Sequence, residues 1–201
     1  MIRELDKAEA GAGASPELRY PAGSLVLVAG LPGAGKSTLL DRLYGLGGAE
    51  AEPVPIDGGS VIDSRQARNR WARRLRVVPA RARVPLVNTT HVWWIARAVM
   101  RGEGVVAHTR GTWPHILHMF SWLAARHGGR VHLVLIDVDP RTALEGQRAR
   151  GRVVATMTFA RHCRRWHPLV QRARGGTVAP AATVTVLSRA EADALKAIRF
   201  T

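Results

Sequence analysis

A nearly apolar run that passes straight into a glycine-rich turn and then into an amphipathic helix constrains the fold more than any other feature of the sequence. Residues 24–29 read SLVLVA, which is typical of a strand buried on both faces. Residues 30–38 read GLPGAGKST, and leucines at helical spacing follow until Gly47. Strands buried on both faces occur in parallel sheets covered by helices, so this unit predicts an α/β fold.

The glycine-rich turn matches in full the GxxxxGK[ST] pattern of phosphate-binding loops. Glycines at 33 and 35 allow successive backbone N–H groups to face inward around an anion. Lys36 can place its ammonium group on the β- and γ-phosphates, and the hydroxyl of Ser37 can ligate Mg²⁺. We therefore expect the chain to bind a nucleoside triphosphate rather than to carry an ordinary glycine-rich turn. The expected contacts come from Gly33, Ala34, Gly35, Lys36, Ser37 and Thr38.

Strand-like and helical segments alternate five times along the chain, which predicts a parallel sheet with helices on both faces. Beyond the first strand, the expected strands cover residues 53–57, 104–109, 131–137 and 183–187. We expect a flexible N-terminal arm over residues 1–20 and one domain over 21–201. Within that domain, residues 59–102 are predicted to form a helical insertion, with a helix from about residue 61 to 76.

Composition limits the class of protein without naming its function. The chain of 201 residues holds 30 Lys plus Arg against 15 Asp plus Glu, a net charge of +15, which suits partners rich in phosphate or carboxylate. Only three of these cations are lysines, a bias that GC-rich coding also produces, so the total charge by itself does not indicate a function. A single cysteine, no long apolar run and no signal-peptide pattern lead us to expect a cytoplasmic protein without membrane spans.

Asp57 is the expected acceptor-side carboxylate. It follows the second predicted strand, and strand ends of a parallel sheet line the crevice where ligands bind. A carboxylate there could accept the proton of an attacking hydroxyl group. The alternative is a turn-capping role, since Asp before Gly is also ordinary turn chemistry. Arg65 and Arg68 follow closely enough to project into the same crevice and to bind the acceptor.

A basic segment after the fourth predicted strand, QRARGR at 147–152, provides further candidates. Arg148 and Arg152 are four residues apart and would share one face of a helix. Above the phosphate loop they could neutralise the charge on the transferring group, or one of them could stack on the adenine ring. A solvated basic helix end is the alternative interpretation.

Together the phosphate loop, the Asp57 strand end and the arginine segment resemble the small P-loop kinases, a group that includes adenylate kinase, gluconate kinase, chloramphenicol phosphotransferase and zeta toxins. The stretch 131–152, followed by FARH at 159–162, is similar to actinobacterial proteins described as AAA-family ATPases. The resemblance covers residues 24–200. It implies a three-layer sandwich around a five-stranded parallel sheet ordered 2-3-1-4-5, a helical lid at about 148–170 carrying Arg148 and Arg152, and ATP with Mg²⁺. It also implies a catalytic role for Asp57.

One departure from these relatives concerns the end of the third predicted strand. This strand ends in Ala107-His108-Thr109, whereas the relatives commonly place an acidic residue near this point to hold the water shell of the magnesium ion. Either Asp57 or Asp137 could take over that role. The alternative is a protein that binds nucleotide without efficient catalysis.

Other chemistry-bearing residues leave several interpretations open. The six arginines between 65 and 76 could form a solvated helix face, a nucleic-acid groove or a clamp for an acidic acceptor. The six tryptophans favour core packing, but Trp93 and Trp94 are adjacent and cannot both face the core of one helix. His115 and His118 lie three residues apart on a predicted helix, but the sequence shows no second pair at ligand spacing for a zinc site. Cys163 has no evident acidic residue to orient a neighbouring histidine, so a cysteine nucleophile is not expected.

Taken together, these patterns predict a phosphotransferase that moves the γ-phosphate of ATP to a hydroxyl group. The expected catalytic residues are Lys36, Asp57, Arg148 and Arg152. The acceptor is expected to be a small molecule or a nucleotide. Two alternatives remain, a nucleic-acid-dependent ATPase and a regulatory module that binds nucleotide without turnover.

Overall fold

The protein is described by a computed structural model over residues 16–72, 75–109, 114–149, 151, 153–176 and 178–201. Most of the expected N-terminal arm, residues 1–15, and the lid candidate Arg152 lie outside the described residues. The strands are β1 (Glu17–Tyr20), β2 (Leu25–Gly30), β3 (Val54–Ile56), β4 (Gly59–Ile62), β5 (Gly104–His108), β6 (Val131–Ile136), β7 (Thr183–Leu187) and β8 (Ala197–Phe200). The helices are α1 (Lys36–Tyr44), α2 (Ser64–Ala72), α3 (Ala80–Met100), α4 (Pro114–Arg126), α5 (Pro140–Arg148), α6 (Thr156–Arg174) and α7 (Arg189–Ala194).

Six of these strands form the central sheet in the order β3-β4-β5-β2-β6-β7. All neighbouring pairs are parallel except β3 with β4. Counted along the chain, the parallel strands therefore stand in the order 2-3-1-4-5, with β4 as the second. The α/β fold class that the sequence predicts, a parallel-dominated sheet flanked by helices, is confirmed.

Helices cover the sheet on both faces, as right-handed crossover connections require. These crossovers place α2, α3, α4 and α6 on one face and α1 on the other, where α7 packs beside α1. Arg42 of α1 holds that second pair together, because its guanidinium donates hydrogen bonds of 2.6 and 2.7 Å to the carbonyl oxygens of Leu195 and Ala192 at the end of α7. Among the described residues, no helix combines the length and apolar character needed to cross a bilayer.

The second strand of the parallel sheet differs from the one we expected. Residues 54–56 form an antiparallel edge strand, and a two-residue turn at Asp57 and Gly58 reverses the chain into β4. Gly58 makes this turn possible because its φ of +74° is a conformation that other residues rarely adopt. The apolar pair Val61-Ile62, which we expected to open a helix, is instead fully buried in β4, and α2 begins at Ser64. The stronger burial of Val61-Ile62 selects this strand for the sheet.

The two ends of the described chain pair with each other rather than forming loose ends. Residues 17–20, expected to belong to the flexible arm, form β1, which lies parallel to β8. Leu18 and Tyr20 alternate with exposed residues and turn towards the core, as a half-buried strand requires. The last helix ends at Ala194 so that residues 197–200 can form β8.

Two facing glycines allow β4 and β5 to approach closely, and this provides a test of the fold. A Cβ added to Gly59 would lie only 1.8 Å from the carbonyl oxygen of Gly104. We therefore expect Gly59→Ala to lower the free energy of unfolding by about 1–3 kcal/mol, the usual effect of overpacking. Gly47→Ala is the matched control, because a Cβ there meets only a side-chain oxygen at 3.5 Å. Urea denaturation of both variants measures the difference, and equal stabilities would contradict the β4–β5 packing.

Candidate functional site

The glycine loop between β2 and α1 has the geometry of an anion-binding turn. Gly33 and Gly35 both take a φ of +91°, which turns the chain sharply before the helix. Helix α1 begins at Lys36, with Gly35 as its N-cap. The loop therefore delivers its last amide groups to a helix N-terminus, where aligned peptide dipoles favour negative charge.

Lys36 is buried within this loop. Its ammonium group donates hydrogen bonds to the carbonyl oxygens of Gly30, at 2.7 Å, and Leu31, at 2.8 Å. Because the side chain is only 6% exposed, its charge is held inside the turn rather than in solvent. Ser37 is buried beside it, and Thr38 is exposed.

Helix α5 packs directly against the glycine loop. A Cβ on Gly33 would lie 2.0 Å from the carbonyl oxygen of Ala143, so no side chain fits at this position. Gln147, which is buried, donates from its side-chain amide to the carbonyl oxygen of Pro32 at 3.0 Å and accepts from the backbone N–H of Val154 at 2.8 Å. Gln147 thus ties the loop to the segment after α5, a role that its place in the basic QRARGR run does not indicate.

Arg189 is a second residue that the sequence pattern did not single out. It opens α7 after β7, and one guanidinium nitrogen lies 2.7 Å from the position a Cβ on Gly35 would occupy. The same guanidinium is paired with Asp193 at 2.9 Å. Arg189 therefore adds a positive charge beside the start of α1. The sequence signal available was its position two residues after the end of a predicted strand of the sheet.

Asp63, which follows β4 at the carboxyl edge of the sheet, is the buried carboxylate of this site. It is 0% exposed, and its Oδ1 accepts a 2.7 Å hydrogen bond from the backbone N–H of Arg65. Its Oδ2 accepts no hydrogen bond from the described residues and lies 3.4 Å from the Arg65 Nε. Burial alone would raise the pKa of Asp63, but hydrogen bonding to His108, to the Arg65 amide and to the hydroxyl of Ser37 holds that pKa well below its usual range. Asp63 is therefore ionised next to the loop serine.

His108, at the end of β5, holds this carboxylate from the other side. Its Nδ1 lies 3.4 Å from Asp63 Oδ1 and 3.3 Å from the hydroxyl of Ser64. Burial lowers the pKa of the His108 imidazole; the nearby positive charge of Lys36 acts in the same direction, while Asp63 opposes it. The imidazole is therefore neutral at neutral pH, and it can contribute a hydrogen bond to Asp63 without adding charge.

The structure places Asp57 far from this site. Asp57 is exposed in the turn before β4, whereas Asp63 follows the last residue of the same strand. Four strand residues span about 13 Å, so Asp57 lies at the amino edge of the sheet while the glycine loop lies at the carboxyl edge. The expectation that Asp57 lines the crevice is wrong because the Asp57-Gly58 pair closes a hairpin.

Of the expected arginines, Arg65 belongs to the site. It pairs with Asp41 of α1 and with Asp63, which ties α2 to the helix after the loop. Arg68 is exposed one turn further along α2, where its Nε lies 3.4 Å from the carbonyl oxygen of Ser64. Arg148 is exposed in the last turn of α5.

Asp137, considered as an alternative carboxylate for the metal, is engaged elsewhere. Its two oxygens accept hydrogen bonds from the indole of Trp166 at 3.2 Å and from Arg174 at 2.9 Å, both on α6. The carboxylate close to the Ser37 hydroxyl is instead that of Asp63, which follows β4, the strand beyond β5.

Comparison with known proteins agrees with this architecture. One solved structure with a similar fold is a gluconokinase from Sinorhizobium meliloti 1021. It is 12% identical to this chain with a TM-score of 0.51, and the alignment covers 85% of each chain. The second comes from the PezAT chromosomal toxin–antitoxin system of Streptococcus pneumoniae, at 14% identity and a TM-score of 0.58, and the alignment covers 87% of this chain and 71% of that one. No curated protein sequence matches the chain. The family model described as an AAA domain matches residues 25–169, which include the glycine loop, Asp63 and α5, and the chain belongs to this family.

Proposed function

We propose that this chain is an ATP- and Mg²⁺-dependent phosphotransferase whose reaction takes place where the glycine loop meets Asp63. The observation that carries the proposal is the fully buried carboxylate of Asp63, which follows β4 at the same edge of the sheet as the glycine loop and is held by the Arg65 amide and His108. Taking a charge out of water is costly, so such a carboxylate needs a partner of opposite charge or several hydrogen-bond donors. Membership of the AAA domain family and the kinase-like fold support the same function.

The glycine loop and Lys36 would hold the triphosphate. The ammonium group of Lys36 already lies inside the loop, 2.7 Å from the carbonyl oxygen of Gly30. Phosphate oxygens can take over these hydrogen bonds with a gain in charge complementarity. The exposed Arg148, and Arg152 further along, would then stabilise the charge that spreads over the transferring group.

Ser37 and Asp63 would hold Mg²⁺. Their donor set, one hydroxyl and one carboxylate whose Oδ2 accepts no hydrogen bond from the described residues, fits a hard cation that prefers oxygen. In the described part of the chain no three His, Cys, Asp or Glu residues cluster, and Mg²⁺ commonly relies on one or two side chains together with substrate phosphates. Bound there, the ion would neutralise charge on the phosphates.

In the proposed reaction, an acceptor hydroxyl oxygen forms a bond to the γ-phosphorus. The bond from that phosphorus to the β,γ-bridging oxygen breaks, ADP leaves and the hydroxyl proton passes to water. Such transfers depend mainly on positioning and electrostatic stabilisation. Arg68, exposed on α2, the helix that begins one residue after Asp63, is the candidate contact for the acceptor. Asp57 has no part in the reaction because it lies at the opposite edge of the sheet.

The identity of the reaction can be tested with γ-labelled ATP and a fractionated metabolite and RNA extract. We expect the label to move to a hydroxyl-bearing acceptor in one fraction. ATP binding without transfer in any fraction would instead support a nucleotide-binding regulator. Label found only in inorganic phosphate, with a rate that rises when RNA is added, would support a nucleic-acid-dependent ATPase.

Replacement of the loop lysine tests nucleotide binding. We expect Lys36→Ala to weaken ATP binding and to reduce phosphate transfer by about a hundredfold or more, because one preorganised charge is removed. Calorimetric titration with Mg²⁺–ATP measures binding. Lys196→Ala, which removes an exposed lysine after α7, is the control and should bind ATP normally. Unchanged ATP affinity in the Lys36 variant would contradict the loop assignment.

Two isosteric variants decide which aspartate takes part. We expect Asp63→Asn to retain binding of metal-free ATP but to lose most of the additional affinity that Mg²⁺ provides, with transfer lowered on the order of a hundredfold. Asp57→Asn should behave as the unmodified protein because its side chain is exposed in the hairpin turn. The measurement is ATP titration with and without Mg²⁺, with circular dichroism to verify folding. If only the Asp57 variant loses transfer, the assignment to Asp63 is wrong.

A further inference from the structure

The charges of this chain are segregated in a way that its total charge does not reveal. Residues 64–136 contain thirteen arginines and a single acidic residue, Glu103. The other 128 residues hold 17 cationic and 14 acidic side chains, close to balance. Biased codon usage would enrich arginine throughout the chain, but it would not remove acids from one stretch. The separation of basic from acidic residues is therefore a property of the surface that this stretch forms and not of codon usage.

The helices of this stretch build one layer of the fold, because α2, α3 and α4 lie on the same face of the sheet. Its two strands, β5 and β6, lie within the sheet and are buried. Trp71 of α2 donates a 2.9 Å hydrogen bond to the hydroxyl of Thr90 on α3, and α3 packs against α4. Because β5 and β6 are almost entirely buried, the exposed arginines of this stretch lie on the helices and on the connections between them.

Two tryptophans lie exposed on this layer, each beside an arginine. Trp93 of α3 is 49% exposed and Trp122 of α4 is 60% exposed. The guanidinium of Arg97 lies 5.1 Å from the Trp93 ring centroid, and that of Arg126 lies 5.4 Å from the Trp122 ring centroid. Each arginine follows its tryptophan by four residues, one helical turn. We call these four residues the Trp–Arg surface.

Core packing does not explain these tryptophans. The neighbouring Trp94 fills the core side of α3 and is only 9% exposed, so Trp93 projects outwards. An exposed indole loses favourable burial, and a pair of them on adjacent helices suggests a ligand with flat apolar faces. The guanidinium groups beside them suggest that the same ligand is anionic.

We propose that the Trp–Arg surface binds single-stranded nucleic acid, independently of phosphate transfer. Unstacked bases would lie on the indole faces of Trp93 and Trp122, and the backbone phosphates would contact Arg97, Arg126 and the exposed arginines around them. A duplex presents its phosphates but keeps its bases stacked, so it satisfies only the charged half of this surface. The layer also reaches the candidate site, because α2 begins next to Asp63.

The proposal is tested by fluorescence anisotropy with a labelled single strand of about 20 nucleotides, long enough for several stacked bases. A duplex of the same sequence and an acidic polypeptide, poly-glutamate, serve as comparison probes. Omitting ATP and Mg²⁺ keeps this measurement separate from the proposed phosphotransfer, so either proposal can fail alone. Titrations at about 50 and 200 mM salt give the salt dependence.

Three double variants separate stacking from charge. Trp93→Ala with Trp122→Ala should weaken single-strand binding about tenfold or more and leave duplex binding nearly unchanged. Arg97→Gln with Arg126→Gln should weaken both single-strand and duplex binding. It should reduce the salt slope of single-strand binding by about 0.7 for each phosphate that is no longer neutralised. Arg19→Gln with Lys196→Gln also removes two positive charges, but from β1 and from the segment after α7. This control pair should change binding less than about twofold. Circular dichroism verifies that each variant is folded.

Several outcomes would overturn the proposal. Equal weakening by the two charge-removing pairs would show that net charge alone attracts the probe. A single strand and a duplex that bind equally, with no effect of the tryptophan pair, would exclude stacking. Poly-glutamate that binds as tightly as the single strand would assign the surface to an acidic protein partner. The proposal is supported if single-strand binding is lost in the tryptophan pair and in the Arg97 and Arg126 pair, but not in the Arg19 and Lys196 pair.

Discussion

Parallel pairing of β2 with β5 on one side and β6 on the other is the constraint on which the remaining structure depends. The strand is buried along its whole length, so its backbone groups must find both partners within the sheet. Parallel neighbours need crossover connections, and right-handed crossovers distribute the helices over the two faces. The same pairing brings the carboxyl ends of these strands to one edge, where the glycine loop begins.

The candidate site is assembled from connections that are distant in the sequence. Helix α5 packs against Gly33 so closely that a side chain is excluded, and Gln147 fastens the loop from the same helix. Asp63 comes to the same edge of the sheet from β4, beyond the end of β5, close enough to the loop serine for its hydroxyl to lower the pKa of Asp63. Its negative charge is tolerated at 0% exposure because backbone and side-chain donors surround it. The arrangement supplies a carboxylate where β5 itself ends in His108 and Thr109.

The two faces of the sheet differ in charge, and Arg65 stands at their boundary. The layer of α2, α3 and α4 carries arginines with a single acid, whereas α1 and α7 carry the acidic partners Asp41 and Asp193. Arg65 pairs across this boundary with Asp41 and with Asp63. A ligand on the basic layer would therefore be close to the site, since α2 starts at the buried carboxylate.

The sequence by itself determined the α/β fold class and the glycine loop with Lys36 and Ser37, because a strand, a turn and a helix that are contiguous in the chain leave a local pattern. It also showed that Trp93 and Trp94 cannot share one environment. Only the tertiary structure decided that Asp63, rather than Asp57, lies at the carboxyl edge. Both residues border a strand-like segment, and the direction of each strand depends on the hairpin at Gly58 and on pairing with β5, a contact more than forty residues away that no local pattern records.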